Sequence, residues 1–171
     1  MYKKCKETLS ATECIIHCDF SENYLAKISE EVQATHFGAS KQQFTLHTAV
    51  IYYKNEQDLQ EKSFCTISPN NNHNPIAIWA HLTPILEYIK NISPNVTTLH
   101  FFSDGPTTQY RQKGNFYLLT ENIKNLGFEK STWSFFESAH GKGAPDGIGG
   151  AVKRKLDKKV TTNCVRHSGK M

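Results

Sequence analysis

The chain has 171 residues, 38% hydrophobic and 21% charged, with ten Phe and seven Tyr. That is enough for one domain with a real core, and it excludes a disordered or membrane-dominated chain, since no apolar run approaches the ~20 residues that span a bilayer. The formal net charge is +4, yet seven Lys/Arg fall between Lys153 and Met171 against a single acid, Asp157, so a mildly acidic body carries a basic C-terminal end suited to a polyanion partner.

The first residues, MYKKCKETLS, have lysines with no apolar stretch behind them, so no secretory signal is expected. Five cysteines, an odd number, include no second pair at zinc-ligand spacing. Reduced thiols in a nuclear or cytoplasmic protein, not a secreted one, are the expectation.

In chain order, Glu13–Phe20 reads as a strand, rich in β-branched and apolar residues. Residues 21–32 (SENYLAKISEEV) read equally as a polar strand end or a short helix. Gln43–Tyr53 and Lys62–Ser68 are further strands, the latter ended by Pro69. From Asn74, apolar residues at three- and four-residue steps (Ile78, Trp79, Leu82, Ile85, Leu86, Ile89) predict a helix, with Asn74 as N-cap, Pro75 in the first turn and a kink at Pro84. A strand from Val96 to Phe102 then leads to Asp104, and a helix over residues 112–128 is stopped by Gly127. A short strand (STWSFFES) precedes a glycine-rich loop and a last helix through GAVKRKLDKKV.

The order β-β-β-α-β-α-β-α predicts an α/β fold with a mixed five-stranded sheet flanked by helices, the element order of the ribonuclease H-like fold. Residues 1–160 read as one core domain and residues 161–171 as a basic tail.

Three acids fall where such a fold would gather them. Asp19 ends the first strand, Asp104 ends the fourth, and Asp146 lies at or near the start of the last helix. Ligands collect beyond the carboxyl ends of parallel strands, and carboxylates meeting there repel unless a divalent cation lies between them. Oxygen donors of this kind suit Mg2+ or Mn2+, and three acids are the number expected to hold two ions. Taken alone, each acid reads equally well as a strand-end, turn or cap residue. Lys153 follows Asp146 by two helical turns and Arg154 adjoins it, a layout that fits a nucleic-acid backbone. Gly147, Gly149 and Gly150 would let the helix approach closely.

His140 and Lys142, before and within the GKG tripeptide, and Gln109 and Arg111, after Asp104, are further candidates for phosphate contacts. His17 alternates to the same strand face as Asp19, and Glu22 reads as surface. His36, His47, His73 and His81 read as structural or surface residues whose spacings make no zinc set. GKGAPDG matches neither the P-loop nor the G-x-G-x-x-G pattern, so no nucleotide cofactor is expected.

Six segments carry a family resemblance: HCDFSENY (17–24), EVQATHFG (31–38), FTLHT (44–48), HNPIAIWAHL (73–82), HFFSDGPTTQYRQKGNF (100–116) and HGKGAPDGIGGAVKR (140–154). Together they resemble transposon-derived animal proteins with a DDE-type transposase or integrase-like core. The resemblance implies Asp19, Asp104 and Asp146 as the catalytic metal-binding acids, with Asp in place of the more usual Glu at the third. It also implies two bound Mg2+ (or Mn2+) ions and phosphodiester cleavage and strand transfer on DNA. DNA would be held through its backbone by Lys153, Arg154 and Lys155. A homo-oligomer is compatible with this reading; a membrane partner is not expected. Where the family pattern has His-Asp-Pro, this chain has His73-Asn74-Pro75. With no zinc finger or evident helix-turn-helix, the alternative is an inactive nucleic-acid- or protein-binding module on the same fold.

Overall fold

Strand β1 (Glu13–Leu25) is the centre of a five-stranded sheet. On one side it pairs antiparallel with β2 (Gln43–Asn55), which pairs antiparallel with β3 (Asp58–Ser68). On the other it runs parallel to β4 (Thr98–Ser103), which runs parallel to β5 (Lys130–Phe135). The spatial order is β3-β2-β1-β4-β5, and the helices are α1 (Tyr2–Glu7), α2 (Pro75–Ile92), α3 (Lys113–Asn125) and α4 (Ala144–Ser168). The computed structural model describes residues 1–25, 43–56, 58–105, 107–136 and 143–168, with side chains described as far as residue 159. Among these residues no helix is long and apolar enough to cross a membrane.

Alternation along the strands builds two unequal cores. Cys14, Ile16 and Cys18 of β1, Ala49 and Ile51 of β2, and Leu99 and Phe101 of β4 point to the face covered by α2 and α3. Ile15, Val50, Tyr52 and Phe102 point to the other face, where they meet Leu9, Tyr2 and Ile148 of α4. Both faces of β1 are therefore buried, which explains its near-continuous apolar run from Cys14 to Cys18.

Local chemistry fixes the helices. Asn74 caps α2 by accepting from Ala77 N at 2.9 Å, with Pro75 in the first turn. α2 runs unbroken through Pro84, with the Thr83 hydroxyl donating to the Trp79 carbonyl. Gly127, at φ 76, lets the chain leave α3 in the left-handed conformation. A buried chain of bonds ties the β4–α3 connection to the core: Trp79 Nε1 donates to Asn115 Oδ1 at 2.9 Å, and Asn115 Nδ2 donates to the Tyr110 carbonyl at 2.8 Å.

Several boundaries differ from the sequence reading. The open segment after Phe20 continues as strand to Leu25, because it pairs with β2 as far as Leu25 opposite Gln43. β3 begins at Asp58; its first residues are exposed and, Leu59 apart, polar, but they complete the pairing with β2. Helix α1 escaped sequence reading; at six residues it is too short for a periodicity to register. Cys5, Cys14, Cys18 and Cys65 are free thiols.

Candidate active site

The parallel pairing of β1 and β4 sets the geometry of the acids. Glu13 stands opposite Thr98 and His17 opposite Phe102, so Asp19 and Asp104 come level two residues further on. Ile15 and Phe102 lie on the face towards α4, and two-residue alternation puts Asp19 and Asp104 on that face too. The two carboxyls are close enough to act on each other's protonation. Burial, then the charge of Asp104, then that of Asp146, pushes the Asp19 carboxyl up to about 7. Burial and the Asp146 charge also raise Asp104. Asp104 Oδ1 is buried with no hydrogen-bond partner.

Asp146 arrives from α4. Gly149 packs onto Ser21 of β1 so tightly that a Cβ there would lie 2.8 Å from Ser21 Cβ. This contact, one turn after Asp146, brings the start of the helix over β1 at Ser21, two residues past Asp19. Asp19 lies within the strand and does not end it as expected, because pairing with β2 extends β1 to Leu25. The expected closeness at Gly147 is absent: that position faces open space. Asp146 is exposed, and its Oδ2 accepts from Gly143 N at 3.2 Å while its own N–H donates to the Gly143 carbonyl. It thus serves as a capping acid of its own helix while its charge reaches the Asp19–Asp104 pair.

From there α4 follows β1. Lys153 Nζ lies 3.7 Å from Glu22 Oε2, and the Tyr24 hydroxyl donates to Asp157 Oδ1 at 3.0 Å. Lys153 is therefore partly covered and faces the strand, whereas Arg154 and Lys155 are exposed. Beneath the acids, His17 is buried against Tyr2, whose hydroxyl lies 3.3 Å from His17 Nδ1. Burial draws the His17 imidazole down to about 4, against a smaller opposing pull from Asp146.

The remaining candidates scatter. Gln109 turns to the opposite side, with Nε2 3.2 Å from His73 Nδ1. Arg111 is exposed, over the Phe135 ring at 5.8 Å. His140 and Lys142 lie outside the described residues.

On the α2 face the structure gathers residues that looked unrelated. His47, His73 and His81 surround the Phe20 ring, at centroid distances of 4.8, 4.0 and 5.8 Å. Cross-strand pairing is responsible, because Phe20 stands opposite His47 and His47 opposite Thr66, which contacts His81. Sequence spacing carries no trace of this, since the three come from a strand, a loop and a helix.

The acid pair fits an oxygen-seeking divalent cation in donor chemistry. Two half-buried carboxyls oppose each other, and one has an unpartnered buried oxygen. Among the described residues, however, no three His, Cys, Asp or Glu side chains are drawn together as a set that could hold a metal ion. Asp146 would have to exchange Gly143 for the ion to complete one.

No curated protein matches the chain. A family model described as a domain of unknown function (DUF8701) matches residues 1–168, nearly the whole sequence, and the chain belongs to that family.

Proposed function

We propose that this domain is a DDD-type polynucleotidyl transferase core of ribonuclease H-like fold, acting on DNA phosphodiesters. The observation that carries the reading is the level placement of Asp19 and Asp104 on neighbouring parallel strands, under a helix that begins with Asp146. The order β3-β2-β1-β4-β5, with only β2 antiparallel to its neighbours, supports the fold assignment. Carboxylates crowded in this way leave Asp19 partly protonated near neutral pH, a charge deficit that a bound cation would remove.

Asp19 and Asp104 would hold Mg2+ or Mn2+, with Asp146 as the third ligand. Such ions supply Lewis-acid activation of water or a 3′-hydroxyl and stabilisation of the leaving oxygen. The chain's own residues do the rest. Gly149 against Ser21 fixes the height of α4 above β1, and the exposed Arg154 and Lys155 take the DNA backbone without reading its sequence.

A second reading has its own observation. Asp146 is occupied with its helix cap, and the three acids form no closed ligand set. That arrangement favours a nucleic-acid-binding module without turnover. A nicking assay on supercoiled DNA with Mg2+ or Mn2+ separates the two. Cleavage by the wild type, lost in Asp104→Asn, supports the transferase core. Equal inactivity of both proteins, with DNA binding intact, leaves the binding module.

A further inference from the structure

β3 is one edge of the sheet, and among the described residues no strand pairs with its outer side. It is a long edge: 11 residues pair with β2 without a shift in register, and none of them is proline. Asp58 through Ser63 are exposed. The opposite edge, β5, has only 6 residues. An edge strand leaves alternate N–H and C=O groups pointing outward, ready to pair with another strand. Bulges, prolines and short length protect an edge from such pairing, and β3 has none of these.

Charge is the remaining protection, and its placement here selects a partner. β3 carries Asp58, Glu61 and Lys62 together with two exposed apolar side chains, Leu59 at 43% and Ile67 at 49%. Glu61 stands opposite Tyr52 and Ser63 opposite Val50, which belong to the face towards α4. Two-residue alternation puts Leu59, Cys65 and Ile67 on that face too. A second β3, laid antiparallel about a two-fold axis perpendicular to the sheet, keeps each face on its own side. Residues of one face must then oppose each other, so the axis passes through a residue position. With the axis at Glu61 or at Lys62, that charge meets its own copy, which is unfavourable. With the axis at Phe64, Leu59 falls opposite Pro69, beyond the strand. With the axis at Ser63, all 11 residues pair and no like charges meet. Leu59 then lies opposite Ile67, Lys62 opposite Phe64, Glu61 opposite Cys65 and Asp58 opposite Ser68. In-register parallel pairing would set every charge against its copy.

We propose that β3 is a self-association edge, through which two copies of this chain join their sheets antiparallel about Ser63. Leu59 of each copy packs on Ile67 of the other, one such contact at each end of the paired strands. Backbone pairing with two apolar contacts lies at the small end of interface sizes, so the dimer is reversible and depends on concentration. Because the axis preserves the faces, the acid sites of both copies open on the same side of the joined sheet. The interface does not rest on the transferase reading.

Sedimentation of the full-length protein across a wide range of concentration tests it, with a monomer–dimer equilibrium as the expected result. Leu59→Lys and Ile67→Glu should each weaken the dimer about 10-fold, since each change acts at both ends. Combined in one chain, they set Lys against Glu across the interface and should recover most of the loss. Both positions are exposed, so circular dichroism should report an unchanged fold. Ser63→Cys should crosslink under mild oxidation, because residues directly opposed in an antiparallel pair have Cα atoms about 5 Å apart, within disulfide reach. Gln60→Cys should crosslink no more than the wild type, because its two copies lie on the order of 20 Å apart along the strands. Asp104→Asn should associate like the wild type whether or not the wild type cleaves DNA. A monomer at every concentration would overturn the proposal and leave the edge to another segment or to a peptide of a different protein. A dimer indifferent to Leu59→Lys and Ile67→Glu, no recovery in the combined variant, or crosslinking at Gln60→Cys without Ser63→Cys would overturn it equally.

Discussion

Asp19 and Asp104 stand level on adjacent parallel strands, two residues beyond the His17–Phe102 pair, and burial together with the Asp104 charge raises the Asp19 carboxyl. Their crowding makes the metal-free site sensitive to pH. The Asp19 carboxyl is raised from 3.8 to about 7, so its contribution to stability is fully present below the unfolded value and is lost as pH rises towards and through 7. The full shift would be worth about 4 kcal/mol; solvent screening at a half-exposed position reduces this to roughly 2 kcal/mol. In chelator, Asp19→Asn should therefore melt above the wild type at pH 8 by about that margin, and the advantage should vanish near pH 4. His17, drawn down to about 4, and His47, drawn down to about 3, act in the opposite direction and lose stability as pH falls below 6.5. Their effect is common to both proteins and cancels in the difference. A melting-temperature difference that is flat between pH 4 and 8 would contradict the raised Asp19 carboxyl.

Gly149 explains why a helix can bring its first turn over β1 next to Asp19. Any side chain there meets Ser21. Gly149→Ala should cost about 1–3 kcal/mol by overpacking. It should also reduce any Asp146-dependent metal affinity, because the helix must lift. Ser21→Gly removes the obstructing Cβ and Oγ. In a double-mutant cycle read by urea unfolding, Gly149→Ala with Ser21→Gly should be clearly less destabilised than the sum of the two single changes. Strict additivity would mean that the contact does not set the height of α4.

How far the sequence could be read follows from the same contacts. The β-branched strands and the apolar stripe of α2 were legible because each is a local pattern. So was the chain order of the three acids. The meeting of Asp19 and Asp104 at one sheet edge was expected from the element order, but the residue-by-residue register that makes them level was not, because no single strand encodes it. Gln109 looked like a phosphate ligand by its position after Asp104, yet the turn directs it towards His73. Lys153 looked like a DNA contact by helical spacing, but the Gly149–Ser21 approach turns its side of the helix towards Glu22. The histidine cluster was invisible because it is made by pairing across three strands and by packing of α2 against them.

Asn115 holds the connection that carries the chain from Asp104 into α3. It is fully buried, accepts from the Trp79 indole and donates to the Tyr110 carbonyl. Asn115→Ala leaves a buried donor and a buried acceptor unmet at about 1–3 kcal/mol each. A loss of roughly 2–4 kcal/mol in chemical denaturation is expected, with Trp79 fluorescence altered in the native state. Unchanged stability would mean that water replaces both bonds without cost.

The basic end of α4 makes a prediction about salt. Arg154 and Lys155 are exposed, whereas Lys153 is partly covered and faces Glu22. A backbone contact releases counterions, so each cation that truly meets a phosphate contributes about 0.9 to the slope of log affinity against log salt. Arg154→Ala and Lys155→Ala should each flatten that slope by about this amount, and should do so equally on unrelated duplex sequences. Lys153→Ala should change it less, because its ammonium is shared with Glu22. A steeper loss at Lys153 than at Arg154 would invert the assignment and place the DNA along the β1 side of the helix. An unchanged slope in all three variants would remove this helix surface from the DNA interface.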